Sequence, residues 1–149
     1  MAVSYNEVMN EIVYKTDLQD VDWAGMKETL EADDFHNGRT VEQLRLSFEN
    51  SFATVIVYAN GRMIGTARAL SDGVCNAYIV DVWTLTEFRR QGVASQMMKT
   101  LLAKLEGQHV CLFTDDMGSF YKTLGFAVEP DGYSQVVGRW LQNETRQMA

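Results

Sequence analysis

The sequence has few of the residues that build metal sites, disulfide frameworks or membrane helices. It contains two cysteines, Cys75 and Cys111, and two histidines, His36 and His109, with neither a C-x-x-C nor an H-x-x-x-H spacing. A zinc site or a structural disulfide is therefore not expected. No run reaches the roughly eighteen apolar residues of a membrane helix, and residues 1–7 have neither a basic region nor an apolar signal core. We therefore expect no metal, no membrane partner and a cytoplasmic location.

Proline is nearly absent as well, with one residue in the chain, and no linker, repeat or low-complexity tract divides the sequence. The content of 46% apolar and 22% charged residues is that of an ordinary globular protein and argues against extended disorder. A chain of 149 residues also has the usual size of one domain. We expect residues 1–149 to form a single domain.

Negative charge is concentrated in the first third of the chain. The net charge is −7, and residues 1–50 hold eleven Asp and Glu against four Lys and Arg, whereas residues 51–149 hold nine of each. Phosphate contacts need a basic stripe, so nucleic acid is not an expected partner. If charge steers a substrate, that substrate is cationic. The alternative is that acidic helices only aid solubility.

Turn signals and apolar periodicity predict the secondary structure. Asn60-Gly61 between two apolar runs predicts a β-hairpin, and Thr40 followed by Gln43 predicts a capping box at a helix start. The predicted elements are a strand at Ile12–Tyr14, helices at Leu18–Ala32 and Thr40–Phe48, strands at Phe52–Ala59, Arg62–Leu70 and Ala77–Thr84, a helix at Gln91–Glu106, a strand at Val110–Thr114, a helix at Ser119–Leu124, and closing strands at Gly125–Val128 and Ser134–Trp140. The order βααβββαβαββ predicts an α/β or α+β fold with a mixed sheet.

The segment Arg89-Arg90-Gln91-Gly92-Val93-Ala94 lies between a predicted strand and the longest predicted helix. The first N–H groups of a helix are unpaired and the helix dipole is positive there, so such a turn can hold phosphate groups. Gly92 and Ala94 let the backbone approach a ligand, and Arg89 and Arg90 add positive charge. The alternative is a plain helix start with solvated arginines. The segment is neither a Walker motif nor a dinucleotide-binding turn.

Two motifs in the right order resemble the GNAT superfamily of N-acetyltransferases. These are the Arg89-x-x-Gly92-x-Ala94 turn and the segment Phe120-Tyr121-Lys-Thr-Leu-Gly125-Phe126, and the resemblance covers about residues 52–130. It implies an α/β (α+β) fold with a mixed, mainly antiparallel sheet of six to seven strands and about four helices. A finer resemblance, carried by residues 65–73 and 76–82, is to the plant and cyanobacterial serotonin N-acetyltransferase branch.

The resemblance also implies acetyl-CoA as the cofactor. In the family the turn holds the pyrophosphate, which carries over to Arg89, Gly92 and Ala94 with the amides of residues 90–95. The fourth strand pairs with pantetheine, and Thr86 stands where the family usually has proline. The implied cofactor contacts are Val82, Trp83, Thr84, Arg89, Arg90, Gln91, Gly92, Val93, Ala94, Ser95 and Tyr121.

Direct acetyl transfer to an amine needs a base. An alkylamine is protonated at pH 7, and the pKa of its ammonium form must fall by roughly 3 units for it to become nucleophilic. Asp81 interrupts an apolar strand, and partial burial there would raise its pKa. The alternative is a structural aspartate bonded to an adjacent loop. Asp115 and Asp116 follow a predicted strand and are reserve candidates. By resemblance, Tyr121 is the general acid that protonates the departing thiolate, and a backbone N–H of the fourth strand stabilises the carbonyl oxygen.

The acidic N-terminal helices border the acceptor groove in this fold, so Asp33, Asp34 and Phe35 are the predicted substrate-binding residues. The predicted acceptor is a primary amine, either a cationic small molecule or a lysine. Cys111 is expected to be buried and unreactive. The resemblance also allows a homodimer. Two alternatives remain: a CoA-binding sensor or interaction domain that lost turnover, and a partner-binding domain with no cofactor.

Overall fold

The computed structural model describes residues 11–142. Residues 1–10 and 143–149 lie outside the described part, and with them the N-terminal residues considered above for a signal sequence. The elements in chain order are β1 (Ile12–Lys15), α1 (Trp23–Ala32), α2 (Val41–Glu49), β2 (Ala53–Ala59), β3 (Arg62–Ser71), β4 (Asn76–Thr84), a 3₁₀ turn (Thr86–Phe88), α3 (Val93–Ala103), β5 (His109–Cys111), α4 (Gly118–Thr123) and a second 3₁₀ turn (Trp140–Gln142). None of the helices between residues 11 and 142 is long and apolar enough to cross a membrane.

The five described strands form one mixed sheet in the order β1-β2-β3-β4-β5. The first three pairings are antiparallel, whereas β4 and β5 run parallel. The fold class and the mainly antiparallel sheet predicted from the sequence are confirmed. The predicted hairpin turn is present between β2 and β3, where Asn60 and Gly61 have φ of 50° and 79°, the left-handed conformation that a tight hairpin requires.

Helix starts follow local capping chemistry. At α2, the Gln43 N–H donates to Thr40 Oγ1 at 3.1 Å and the Thr40 N–H donates to Gln43 Oε1 at 2.9 Å, which confirms the capping box. Helix α1 begins at Trp23 rather than at Leu18. Asp20 has φ of 58°, which a right-handed helix cannot include, and the Asp22 side chain caps the helix by accepting from the Gly25 N–H at 2.9 Å.

Helices cover both faces of the sheet. Strand β3 shows this: Arg68 Nη1 donates to the Ser47 carbonyl of α2 at 3.3 Å, whereas Gly65, on the opposite face, lies against Met97 of α3. Accordingly β2, an inner strand of the sheet, is buried along nearly its whole length. One apolar cluster joins the helices to the sheet. Burial on both faces explains why the strands read as near-continuous apolar runs.

The predicted closing strands at Gly125–Val128 and Ser134–Trp140 are wrong, and so is the count of six to seven strands for the described residues. Both segments lack strand structure, and β5 is shorter than predicted. A strand requires a partner, and β5 pairs with β4 over only three residues. Gly138, with φ of 69°, also interrupts an extended backbone within the second segment.

Candidate active site

A cavity of about 960 Å³ opens where β4 and β5 separate. The two parallel strands pair only from Asn76 to Tyr78 on β4, so the rest of β4 leaves its edge toward β5 unpaired. Residues 79–84 of β4, the start of α3, the segment after β5 and part of α4 line the cavity. The chain thereby presents unpaired backbone hydrogen-bonding groups of β4 to a ligand-sized space.

The N-terminus of α3 lies at this cavity. Gly92 is its N-cap, with φ of 84°, and the Gln96 N–H donates to the Gly92 carbonyl at 3.0 Å. The amides of Val93, Ala94 and Ser95 precede this bond and have no partner within the helix. No heavy atom lies within 4 Å of the position a Cβ would take at Gly92. The positive φ therefore favours glycine at this position, and the space beside it is open to a ligand.

The two arginines of the turn are placed differently. Arg89 Nε donates to the Thr84 carbonyl at 3.1 Å, and its Nη2 lies 3.7 Å from Asp33 Oδ2. Arg90 has φ of 63° and makes no ion pair among residues 11–142. Both line the cavity beside the start of α3, as does Gly92, while Gln91 does not. The guanidinium of Arg90 is thus the one left for an anionic ligand.

Thr84 holds the one buried side-chain oxygen or nitrogen, among residues 11–142, that has no hydrogen-bond partner. Its Oγ1 is fully buried, at the end of β4, in the residue whose carbonyl positions Arg89. A buried hydroxyl without a partner is costly, and it becomes satisfied when a ligand supplies one. Val82 and Trp83 also line the cavity, but the Trp83 indole points to Asp33 and not to a ligand.

Tyr121 brings a phenol to the same cavity. It lies on α4, is only 9% exposed, and packs edge-on against the rings of Phe120 and Phe126 at centroid distances of 5.0 and 5.9 Å. Burial raises the pKa of the Tyr121 phenol above its ordinary value of 10.0. The group therefore stays protonated at neutral pH, as a proton donor must.

Asp81 does not lie in the apolar surroundings that the sequence predicted. Arg39 donates to Oδ2 and Oδ1 of its carboxylate at 2.9 and 3.2 Å, and Arg68 Nε donates to Oδ2 at 2.6 Å. Asp81 also has φ of 53° at a β-bulge opposite β3, and its carbonyl accepts from Thr66 Oγ1 at 2.9 Å. The expectation of burial among apolar groups is wrong, and this arrangement favours the structural alternative.

The predicted substrate-binding residues separate into different environments. The Asp33 side chain is 11% exposed, and its carboxylate accepts hydrogen bonds from Trp83 and Thr86. Asp34 is exposed and is not part of the cavity wall. Phe35 does line the cavity and stacks on the Trp83 ring with a centroid distance of 6.5 Å. Of the three, only Phe35 is placed to touch a ligand in this cavity.

Two further carboxylates face the cavity, and one cysteine differs from expectation. Asp115 and Asp116 follow β5, line the cavity and are exposed, so the reserve candidates for the base lie where a substrate can reach them. Cys111 is exposed rather than buried, because β5 is an edge strand that ends there. Its Sγ lies 3.9 Å from the His109 ring.

Sequence reasoning missed the partners that organise these residues. Arg39 and Arg68, which hold Asp81, are separated from it by 42 and 13 positions. Phe113 and Met117, which line the cavity after β5, are also new. The only signal for the arginines was that a carboxylate inside a strand needs a cationic or donor partner, and this does not say which one.

Comparisons with known proteins agree with this geometry. The model of the acetyltransferase (GNAT) family matches residues 16–126. Over 102 residues, 63% of this chain and 56% of the relative, the sequence is 34% identical to the uncharacterized N-acetyltransferase ycf52 of Gracilaria tenuistipitata var. liui. It is 33% identical over 101 residues, 62% of this chain, to the chloroplastic serotonin N-acetyltransferase 2 of Oryza sativa subsp. japonica, of which it covers 50%.

The chain thus spans about half the length of these curated relatives. In structure, it is similar to a predicted acetyltransferase from Clostridium acetobutylicum, solved with acetyl-CoA, with a TM-score of 0.64 and 22% identity, covering 84% of this chain and 96% of the other. That likeness concerns the fold. Since the family match extends over about three quarters of the sequence, the chain belongs to the acetyltransferase (GNAT) family.

Proposed function

We propose that this protein is an N-acetyltransferase that moves an acetyl group from acetyl-CoA directly to a primary amine. One observation carries the proposal: the splayed edge of β4, the free amides of α3 and the Tyr121 phenol line a single cavity. A ternary complex fits this arrangement, because acetyl-CoA and the acceptor amine can lie side by side in one cavity. The similarity to proteins named N-acetyltransferases supports the same activity.

The residues present fit acetyl-CoA. Its diphosphate would be held by the amides of residues 92–95 and by Arg90, and its amide groups by the unpaired edge of β4. The buried Thr84 hydroxyl offers a polar group with no other partner. When bound, acetyl-CoA supplies the activated acetyl group. The chain supplies the proton for the thiolate from Tyr121 and an N–H of β4 toward the acetyl oxygen.

The proposed acceptor is a cationic amine, either a small molecule or a lysine. Support comes from Asp115 and Asp116, which lie in the cavity wall and can attract an ammonium group and take its proton through water. Phe35, Phe113 and Met117 add apolar surface at the same wall, which suits an amine with an aromatic or aliphatic body. Serotonin, the acceptor in the name of one relative, has this chemistry.

The test is acetyl transfer from labelled acetyl-CoA to a panel of amines. The panel contains aromatic and aliphatic ammonium compounds, a lysine peptide, and neutral hydroxyl analogues of the same shape. We expect product with the amines and an acetyl-CoA-dependent rise in melting temperature. Binding without product for any amine would favour the CoA-binding sensor, and no rise in melting temperature would favour a domain that takes no cofactor.

Neutralising the carboxylates after β5 tests the acceptor preference. In the Asp115→Asn, Asp116→Asn double variant we expect KM for a cationic amine to rise about tenfold while KM for acetyl-CoA changes less than about twofold. Glu106→Gln, an exposed acidic position outside the cavity wall, is the matched control. A double variant with unchanged amine KM would show that these carboxylates do not bind the acceptor.

We also propose that the protein is a homodimer in a reducing compartment such as the cytoplasm. The segments Gly125–Val128 and Ser134–Trp140, which the sequence predicts as strands, form none, and Tyr133 and Val137 are 92% and 85% exposed. Strand β5 offers a free edge. Two copies could exchange these segments, so that each segment pairs with the free edge of β5 in the other copy.

The reducing compartment is supported by the cysteines. The exposed thiols of Cys75 and Cys111, which form no disulfide, suit a reducing environment.

Sedimentation equilibrium tests the dimer. Val137→Lys should shift the protein toward monomer, because it places a charge in the proposed contact. Val74→Lys, at an equally apolar position that is 76% exposed in the turn before β4, should leave the dimer intact. A wild-type protein that sediments as a monomer at micromolar concentrations would contradict the proposal.

A further inference from the structure

The carboxylate of Asp33 connects α1 to the segment between β4 and α3. Asp33 is the C-cap residue of α1. Its Oδ2 accepts from the Trp83 indole Nε1 at 2.9 Å and from the Thr86 N–H at 3.2 Å, and its Oδ1 accepts from Thr86 Oγ1 at 2.6 Å. Arg89 Nη2 lies 3.7 Å from Oδ2. Three donors and one guanidinium thus converge on one side chain.

Two of these partners, Trp83 and Arg89, line the part of the cavity assigned to acetyl-CoA, and Thr86 lies between them in the chain. Trp83 lies on β4 and is 2% exposed, Thr86 opens the 3₁₀ turn that leads to α3, and Arg89 is the first residue of the phosphate-binding turn. Without Asp33, the Arg89 guanidinium keeps its hydrogen bond to the Thr84 carbonyl but loses its ion pair. This carboxylate is therefore one of the contacts that fix the route of the chain from β4 into α3, together with the bond that the Leu85 N–H donates to the Ile64 carbonyl at 2.7 Å.

We propose that Asp33 is a positioning residue for acetyl-CoA and does not bind the acceptor. By holding Thr86 and Arg89, it fixes the angle at which the amides of α3 face the cavity. By holding the Trp83 indole, it fixes the edge of β4. This inference rests on the proposed function, since it assumes that acetyl-CoA occupies the cavity at the start of α3.

The charge on Asp33 suits this role. Burial of the carboxyl raises its pKa, but the hydrogen bonds from Thr86 and Trp83 outweigh that effect, so the net pKa lies below its ordinary value. The carboxylate is therefore ionised throughout the range in which the protein would be assayed. Its oxygens are already engaged by Trp83 and Thr86, which leaves little capacity for an ammonium ion.

The test compares Asp33→Asn with Glu28→Gln, an exposed residue on the same helix whose change removes one negative charge and none of the contacts above. Calorimetry gives the dissociation constant for acetyl-CoA, and steady-state kinetics give both KM values. For Asp33→Asn we expect acetyl-CoA binding to weaken about three- to tenfold through lost preorganisation, with amine KM within about twofold of wild type. Glu28→Gln should match wild type in both.

A second variant guards against misfolding. Thr86→Val keeps the N–H donor but loses the hydroxyl, and it should weaken acetyl-CoA binding in the same direction. In the double variant with Asp33→Asn, the loss of acetyl-CoA affinity should be smaller than the sum of the two single losses, because both changes break the same contact. The Trp83 indole N–H resonance, assigned in a ¹⁵N spectrum, should move in Asp33→Asn and stay in place in Glu28→Gln.

The outcomes separate this proposal from the proposed function. If wild type binds no acetyl-CoA, the proposed function fails, and the Trp83 resonance still shows whether the Asp33 contact exists. If wild type binds acetyl-CoA and Asp33→Asn binds it equally well, the positioning role is overturned. A rise in amine KM alone in that variant would instead restore Asp33 as an acceptor-binding residue.

Discussion

Replacing Tyr121 with phenylalanine is expected to lower kcat about 100-fold while leaving the fold and acetyl-CoA affinity nearly unchanged. The ring supplies the packing against Phe120 and Phe126, and phenylalanine retains it. What is lost is the hydroxyl proton. Because burial raises the pKa of this phenol above 10.0, the acid form predominates below that pH, and wild-type activity that depends on it should be lost only as pH rises further.

Tyr14→Phe is the matched control. Tyr14 lies on β1 outside the cavity wall, and burial raises its pKa for the same reason. Its variant should keep wild-type kcat and a similar melting temperature. A Tyr121→Phe enzyme with full kcat would remove the general-acid role, and a parallel loss of kcat in both variants would point to packing instead of proton transfer.

Replacing Asp81 with asparagine is expected to destabilise the fold by about 3 kcal/mol, since it removes the charge that two buried arginines share. The Arg39 and Arg68 side chains are 7% and 13% exposed, so water cannot solvate them fully. An amide would also present its own N–H groups to these donors. Chemical denaturation followed by circular dichroism measures this loss.

Asp20→Asn controls for the backbone. Asp20 and Asp81 both have positive φ, which asparagine tolerates, but Asp20 is exposed. The control should therefore cost little stability. We expect residual Asp81→Asn activity to show no recovery at high pH. If the variant is as stable as wild type and its rate does recover at high pH, Asp81 is the general base that the sequence first indicated.

Much of the fold could be predicted because it depends on local signals. The Asn60-Gly61 turn and the Thr40 capping box each act over a few residues, and both are confirmed. The closing strands could not be judged in the same way. The apolar residues Val136, Val137 and Trp140 favour extended backbone, but whether a partner edge is available depends on distant parts of the chain.

The residues of the candidate site also differ in whether local sequence or distant contacts determine their role. The turn around Gly92 carries its function in backbone geometry and small residues, so its spacing in the sequence was informative. The roles of Asp33 and Asp81 depend on which donors approach them from other elements. Nothing near Asp81 in sequence indicates that Arg39 is its partner. Side-chain type alone therefore predicted that Asp81 is a base and Asp33 a substrate contact. In the structure Asp81 forms ion pairs with arginines, and Asp33 caps the end of α1.

The charged cluster at the bulge in β4 has an evolutionary consequence. Arg39, Arg68 and Asp81 come from a loop, β3 and β4, and each one compensates for the others. Losing Asp81 leaves two arginines without a counter-charge, whereas exchanging all three for apolar side chains of similar volume need not be harmful. Among descendants of a common ancestor, these three positions should therefore be inherited or replaced as a unit, and a lineage that keeps only one of them should be rare.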